Sequence, residues 1–109
     1  MFGSLSGSKL GIWVAHGEGK FSLPRPEDDY NVVLKYSYDE YPGNPNGSDY
    51  AVAGICSPDG RHLAMMPHLE RSIFPWQNAW YPADRRQDDV TPWIEAFVNA
   101  RKWVEAHRQ

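Results

Sequence analysis

Nine glycines and nine prolines interrupt the first 92 of the 109 residues, and none follows Pro92. Because both residue types break helices and favour turns, the sequence predicts strands and turns over most of the chain rather than a helical bundle. The stretch 91–107, which has neither glycine nor proline after Pro92, is predicted to be the one long helix, with Thr91 as its N-cap and Pro92 at its first position.

The predicted helix has one apolar face. Apolar side chains recur at helical spacing along it, with charged residues between them, so this stripe is expected to be buried. The stripe consists of Trp93, Phe97, Ala100 and Val104.

Four apolar runs before the helix are predicted strands. Residues 10–15 are apolar throughout, which is typical of a central strand covered on both faces. Residues 32–38 alternate in polarity, which indicates a half-exposed strand. Residues 51–56 and 63–66 flank a turn and predict a hairpin. Residues 1–9 are rich in glycine and serine and are expected to be a flexible lead-in.

Charge and cysteine content exclude several classes of protein. Eleven Lys and Arg against fourteen Asp and Glu give a net charge of −3, and no basic stripe indicates a nucleic-acid partner. Cys56 is the only cysteine, which excludes an internal disulfide and favours a reducing, cytoplasmic location. The run 10–15 is too short to span a bilayer, so no membrane partner is expected.

Two His-x-Glu triplets are the strongest candidates for chemistry. His16-Gly17-Glu18 and His68-Leu69-Glu70 each follow a predicted strand. In an extended chain residues i and i+2 point the same way, so each carboxylate can orient its imidazole as in the acid–base part of a catalytic triad. For either triplet alone, the alternative is a local hydrogen bond at a strand end.

A triad also needs a nucleophile, and Cys56 fits that role poorly. The residues Ser57 to Gly60 turn the chain into another strand, whereas a nucleophile elbow leads into a helix. Cys56 is therefore expected to be a core residue. Two other hypotheses remain open. One is a metalloprotein that binds iron, manganese or zinc through the side chains of His16, Glu18, His68 and Glu70. The other is a non-catalytic interface module built on the rings of Phe74, Trp76, Trp80 and Tyr81.

Three stretches together resemble one family. They are VAHGEGKF at 14–21, YPGNPNGS at 41–48 and MMPHLERSIFPW at 65–76. They are similar to the glutaminase domain of the phosphoribosylformylglycinamidine synthases, which are amidotransferases of purine biosynthesis. The closing TPWIEAFVNARKW at 91–103 resembles the final helix of their long single-chain form. The resemblance covers nearly all of the chain.

The resemblance implies an α/β fold in which residues 1–109 form the C-terminal half of a class I glutamine amidotransferase domain, an open flavodoxin-like sheet with a terminal helix. It implies that His68 is the base and Glu70 the orienting acid of a Cys-His-Glu triad. Four further residues would border the glutamine site or the synthetase interface, namely His16, Asn44, Asn46 and Ser48. The family's Gly-x-Cys-x-Gly-x-Gln elbow does not occur here, so the chain alone is expected to be inactive.

For the whole enzyme, the resemblance implies that glutamine is hydrolysed and its ammonia passed to a synthetase region. There ATP and magnesium would drive conversion of formylglycinamide ribonucleotide to its amidine. This chain itself is expected to bind no cofactor and no metal. Its implied partners are glutamine and the rest of the same polypeptide.

Overall fold

The computed structural model describes residues 1–15, 17–78, 81–85 and 87–107. They form two compact units, described separately below: unit 1 comprises Met1–Trp13 and His68–Gln109, and unit 2 comprises Val14–Pro67. The strands are β1 (Asn31–Lys35), β2 (Val52–Cys56) and β3 (Leu63–Met65), and the helix is α1 (Ile94–His107). Short 3-10 turns lie at Gly3–Leu5, Glu27–Asp29, Asp49–Ala51, Leu69–Arg71, Pro75–Gln77 and Ala83–Arg85. The α/β class with a terminal helix is thereby confirmed.

Unit 2 is built on an antiparallel sheet in the order β1-β2-β3. Its central strand is the most buried, since Val52, Ala53 and Gly54 are all buried. A Cβ added at Gly54 would lie 3.2 Å from Leu34 Cδ1 and 3.3 Å from Met65 Cβ. Side chains of both outer strands therefore close over the Gly54 backbone, and a larger residue there would push them apart.

The predicted hairpin is confirmed. β2 and β3 pair antiparallel, with Gly54 opposite Met65 and Cys56 opposite Leu63. The turn between them is closed by the Ser57 N–H, which donates to the His62 carbonyl at 2.9 Å, and Gly60 has a φ of 75°. Glycine adopts this left-handed conformation without steric cost, so the turn forms as the sequence predicts.

Two strand predictions need correction. No strand is present over residues 10–15, although all of them are described. The Gly11 carbonyl accepts a hydrogen bond from the Trp93 side chain at 3.0 Å rather than from a neighbouring strand. A strand forms where its backbone N–H and carbonyl groups bond to those of a neighbouring strand, and apolar composition alone does not provide that neighbour. β1 is also shorter than predicted, since it ends at Lys35.

The start of α1 differs from the prediction. The N–H groups of Ile94 and Glu95 bond to the carbonyls of Thr91 and Pro92, which is the i to i+3 pattern of a 3-10 turn, and the α-helix begins at Ile94. The Thr91 hydroxyl does not cap these N–H groups. It donates to the Ser72 carbonyl at 2.6 Å, so the predicted N-cap role is wrong.

The predicted buried stripe of α1 is only partly correct. Trp93 is buried, but Phe97 and Val104 are 41% and 55% exposed. The helix instead buries Ala96, whose small side chain permits close packing. On the same part of the helix Asn99 donates to the Met1 carbonyl at 3.0 Å and to Ser4 Oγ at 2.7 Å. These contacts tie α1 to residues 1–5, which were expected to contain no element of the fold.

None of the helices in the described part of the chain combines the length and the apolar character needed to cross a membrane.

Candidate functional site

The side chains of His68 and Glu70 contact each other in unit 1, and Leu69, which lies between them in the sequence, is buried. Leu69 is 3% exposed and anchors the 3-10 turn Leu69–Arg71, whereas the side chains of His68 and Glu70 are 40% and 65% exposed. His68 Nδ1 lies 3.0 Å from Glu70 Oε1. The predicted pairing of i and i+2 is therefore present, but the turn that follows an extended His68 brings the side chains together rather than a continuous strand.

The electrostatic environment keeps Glu70 ionised. The pKa of Glu70 is lowered from its ordinary value, first by its own backbone N–H and then by the hydrogen bond from His68. The charges of His68 and Arg71 act in the same direction, and desolvation opposes them. An ionised Glu70 accepts a hydrogen bond from a protonated Nδ1 and so leaves Nε2 free to exchange a proton. Such an arrangement can orient an imidazole for proton transfer.

Thr91 fixes the residues that follow this turn. Besides the bond from its hydroxyl to the Ser72 carbonyl, its N–H donates to the Ile73 carbonyl at 2.6 Å. Ser72 is completely buried and Thr91 nearly so. The sequence did not reveal this contact, because a threonine before Pro92 has the pattern of a helix N-cap.

The predicted binding residues Asn44 and Ser48 lie in unit 2 and bond to each other. The Asn44 side chain donates to the Ser48 carbonyl at 2.8 Å and accepts the Ser48 N–H at 2.9 Å. Ser48 Oγ accepts the N–H of Phe21 at 3.0 Å. Both residues are buried, so the polar side chains of this loop stabilise its own fold.

Asn46 connects the same loop to the first His-x-Glu segment. Its Nδ2 donates to the carbonyls of Gly17 and Gly19 at 2.7 and 2.9 Å. The prediction for His16 falls outside the described residues. Asn46 therefore holds the backbone just after that position, which sequence reasoning had not anticipated.

The metal hypothesis gains no support from the described residues. Among them, no group of three or more His, Cys, Asp and Glu side chains is placed to hold a metal ion. His16, one of the four proposed ligands, lies outside them.

The proposed ring surface is present in part. Phe74 and Trp76 stack with centroids 5.9 Å apart and planes 6° from parallel, and Trp76 is 79% exposed. Trp80 lies outside the described residues. The hydroxyl of Tyr81 is buried and has no hydrogen-bond partner within the described part of the chain. Of the proposed rings that the structure describes, Phe74 and Trp76 are exposed and Tyr81 is partly buried.

The family follows from comparison with known sequences. The sequence model of the CobB/CobQ-like glutamine amidotransferase domain matches residues 1–104. The chain belongs to this amidotransferase family. The amidotransferase family is consistent with the open α/β sheet and confirms the resemblance seen in the three motifs.

Curated relatives agree with the amidotransferase assignment. The chain is 43% identical over 116 residues to the phosphoribosylformylglycinamidine synthase of Homo sapiens, covering 95% of this chain and 9% of that protein. It is 45% identical over 115 residues to the synthase of Saccharomyces cerevisiae, covering 92% and 8%. It is 42% identical over 125 residues to a probable chloroplastic/mitochondrial synthase of Arabidopsis thaliana, covering 97% and 8%. The chain thus spans less than a tenth of the length of these relatives.

Proposed function

We propose that this chain supplies the histidine and the glutamate of a glutaminase centre, within a phosphoribosylformylglycinamidine synthase. The observation that carries the proposal is the 3.0 Å contact between His68 Nδ1 and the ionised carboxylate of Glu70. In an amidotransferase family member, such a pair acts beside a thiol. Cys56 is half-buried at the end of β2, and the turn after it leads into β3 rather than into a helix, so the thiol is proposed to come from another part of the polypeptide.

The proposed reaction proceeds in two steps. The thiolate attacks the amide carbon of glutamine, and the C–N bond breaks as Nε2–H of His68 protonates the departing nitrogen, which leaves as ammonia. His68 then takes a proton from water, whose oxygen attacks the thioester carbon. The C–S bond breaks and releases glutamate and the thiolate, with His68 left as the imidazolium that begins the next cycle. Glu70 stays ionised throughout and stabilises the imidazolium each time it forms.

For the whole protein, we propose that the ammonia serves the synthase reaction that names the relatives. ATP and magnesium would activate the amide of formylglycinamide ribonucleotide in a synthetase region, and ammonia would replace the activated oxygen. The support is the identity to synthases along almost the entire chain. Nothing in this chain is assigned to ATP or magnesium. A cytoplasmic location is proposed from the lone, unpaired cysteine.

The proposed partner of this chain is the rest of the same polypeptide. Phe97 and Val104 leave an apolar stripe of α1 exposed, and Trp76 adds a nearly bare ring. Exposed apolar side chains that follow one face of a helix often mark an interaction surface. Since the chain matches less than a tenth of each relative, the remaining polypeptide offers ample surface to cover them.

The loop 41–49 is proposed to border the glutaminase centre or its interface with the synthetase region. Asn44, Asn46 and Ser48 belong to it, and His16 is proposed to join them. The support is that Asn44 and Ser48 hold the loop in shape without a ligand, because their side chains bond within unit 2. Such a preformed loop loses little conformational entropy when glutamine or another surface docks.

The test is ammonia release from glutamine by the protein expressed from its complete reading frame. We expect that His68→Ala abolishes the release, because His68 is the group proposed to protonate the departing nitrogen. His62→Ala is the matched control, since His62 is an exposed histidine in the β2–β3 turn and should leave the rate unchanged. The 109-residue chain alone should be silent. Full activity of His68→Ala, or activity of the chain alone, would overturn the proposal.

A further inference from the structure

Thr91 donates hydrogen bonds to the carbonyls of two successive residues, Ser72 and Ile73. Its hydroxyl donates to the Ser72 carbonyl and its N–H donates to the Ile73 carbonyl, both at 2.6 Å. Two bonds to successive carbonyls fix the direction of the chain as well as its distance. Ser72 and Ile73 come directly after the 3-10 turn Leu69–Arg71, which contains Glu70.

Thr91 is itself held from both sides. Its carbonyl accepts the N–H of Ile94 at the start of α1, and Pro92 restricts the backbone between them. Trp93 is buried, and its Nε1–H donates to the Gly11 carbonyl at 3.0 Å. Thr91 is only 2% exposed, so water cannot replace its hydroxyl. The two hydrogen bonds from Thr91 therefore couple the position of the turn Leu69–Arg71 to that of α1.

The turn has two further fixed points. The Arg71 N–H donates to the His68 carbonyl at 3.1 Å, and the Ser72 N–H donates to the Leu69 carbonyl at 3.0 Å. Leu69 anchors the middle of the turn by burial, while the Thr91 contacts anchor its exit. If only Leu69 held the turn, the backbone at Ser72 and Ile73 could rotate. The Glu70 carboxylate would then move relative to the His68 imidazole.

We propose that Thr91 is a positioning residue for the His68–Glu70 pair, acting through the backbone carbonyls of Ser72 and Ile73. The inference rests on the proposed glutaminase function. The Thr91 hydroxyl touches neither the imidazole nor the carboxylate. It keeps the turn in the one arrangement in which Glu70 orients His68 toward glutamine. Ser72 Oγ does not perform this task, because it is buried and has no hydrogen-bond partner among the described residues.

The experiment uses the protein from its complete reading frame and compares four variants, each normalised to its folded fraction by circular dichroism. Thr91→Val keeps the shape but removes the donor. We expect it to lower kcat for ammonia release about 10- to 100-fold, the usual effect of a misplaced catalytic group, with KM for glutamine changed less than about twofold. Thr91→Ser keeps a hydroxyl and should restore most of kcat. Ser57→Ala, which removes an exposed hydroxyl bonded to Asp59 in the β2–β3 turn, is the control and should resemble the wild type.

Two outcomes would overturn the proposal. One is a wild-type kcat in folded Thr91→Val, and the other is a failure of Thr91→Ser to restore the rate. If Thr91→Val does not fold, Thr91→Cys, which keeps the size but weakens the donor, is measured with the same expectation. The fourth variant, His68→Ala, separates this inference from the function on which it rests. Retained activity in His68→Ala refutes the glutaminase role itself, whereas its loss beside a normal Thr91→Val refutes only the positioning role.

Discussion

His68 Nδ1 lies 3.0 Å from Glu70 Oε1, while Leu69 between them points into the interior of unit 1. A single turn of 3-10 helix thus buries one side chain and presents its two neighbours together. The buried leucine fixes where the turn sits, and the carboxylate fixes how the imidazole is oriented. The pair is therefore arranged before any substrate binds.

Glu70→Gln should impair glutamine hydrolysis without unfolding the protein. The amide keeps the shape of the carboxylate but has no charge to stabilise the imidazolium, so kcat should fall roughly 10²- to 10⁴-fold, as in other acid–histidine pairs. Steady-state ammonia release from the protein of complete reading frame measures this. Glu105→Gln is the matched control, because Glu105 pairs with Arg101 on the exposed side of α1. Equal losses in the two variants would contradict the assigned role of Glu70.

The pKa of the Glu70 carboxyl should lie below its ordinary value of 4.5, and a carbon-13 NMR titration would measure it. The main cause of the lowered pKa is its own backbone N–H and the second is His68. His68→Ala should therefore raise this pKa only part of the way back. Because the folded pKa lies below the unfolded one, the stabilising effect is complete above pH 4.5 and is lost as pH falls through the folded value. A full return to 4.5 in His68→Ala would contradict this order of causes.

Asp59 in the β2–β3 turn should respond to the loss of one hydroxyl. Ser57 Oγ donates to Asp59 Oδ1 at 2.6 Å, and this bond is the largest cause of the lowered pKa of Asp59. Ser57→Ala should raise the pKa, while the N–H of Arg61 keeps it below the ordinary value. An NMR titration of both proteins tests this. An unchanged Asp59 midpoint would show that the hydroxyl does not bond the carboxylate.

Asn44→Ala should destabilise unit 2 strongly. The substitution leaves the buried N–H of Ser48 without a partner and removes one of the two donors to its carbonyl, the other being the Ala51 N–H, which costs about 1–3 kcal/mol in the free energy of unfolding. Urea denaturation followed by circular dichroism measures the change. Asn31→Ala, at an exposed position on β1, is the control and should lie within about 0.5 kcal/mol of the wild type. Similar losses for both would mean that the loop bonds contribute little.

Ser72→Ala should leave the free energy of unfolding unchanged or raise it by up to about 1 kcal/mol, because a buried hydroxyl without a partner is removed. Thr91→Val should have the opposite sign, since it strands a buried carbonyl. Thermal denaturation of the two variants tests whether the hydroxyl of Thr91, and not that of Ser72, makes a stabilising hydrogen bond. A clear loss in Ser72→Ala would show that its hydroxyl has a partner.

Local patterns predicted the elements that are held by local contacts. The β2–β3 hairpin followed from its turn residues, and the approach of Glu70 to His68 followed from their spacing. Both depend on atoms a few residues apart, where sequence and geometry are closely linked. The α/β class and the amidotransferase family came from motifs that resemble known proteins, and the family comparison confirms them.

Predictions failed where distant partners decided the outcome. The run 10–15 has the composition of a central strand, but its Gly11 carbonyl bonds the indole of Trp93 instead. The sequence places the Thr91 hydroxyl where it could cap the N-terminus of the helix. The hydroxyl instead bonds the carbonyl of Ser72, nineteen residues away. Likewise, Phe97 is exposed because α1 packs through Ala96. No spacing rule within one segment reveals such choices.

The bonds between residues 1–11 and α1 also bear on the order in which the molecule is made. Ser4 donates to Glu95, and Trp93 donates to Gly11, across more than eighty intervening residues. During synthesis the early segment leaves the ribosome long before its partners exist, whereas β1, β2 and β3 of unit 2 follow one another and can pair at once. Unit 1, with the His68–Glu70 turn, is therefore completed after unit 2. The bonds from Thr91 to the carbonyls of Ser72 and Ile73, which follow that turn, form only once Thr91 has emerged.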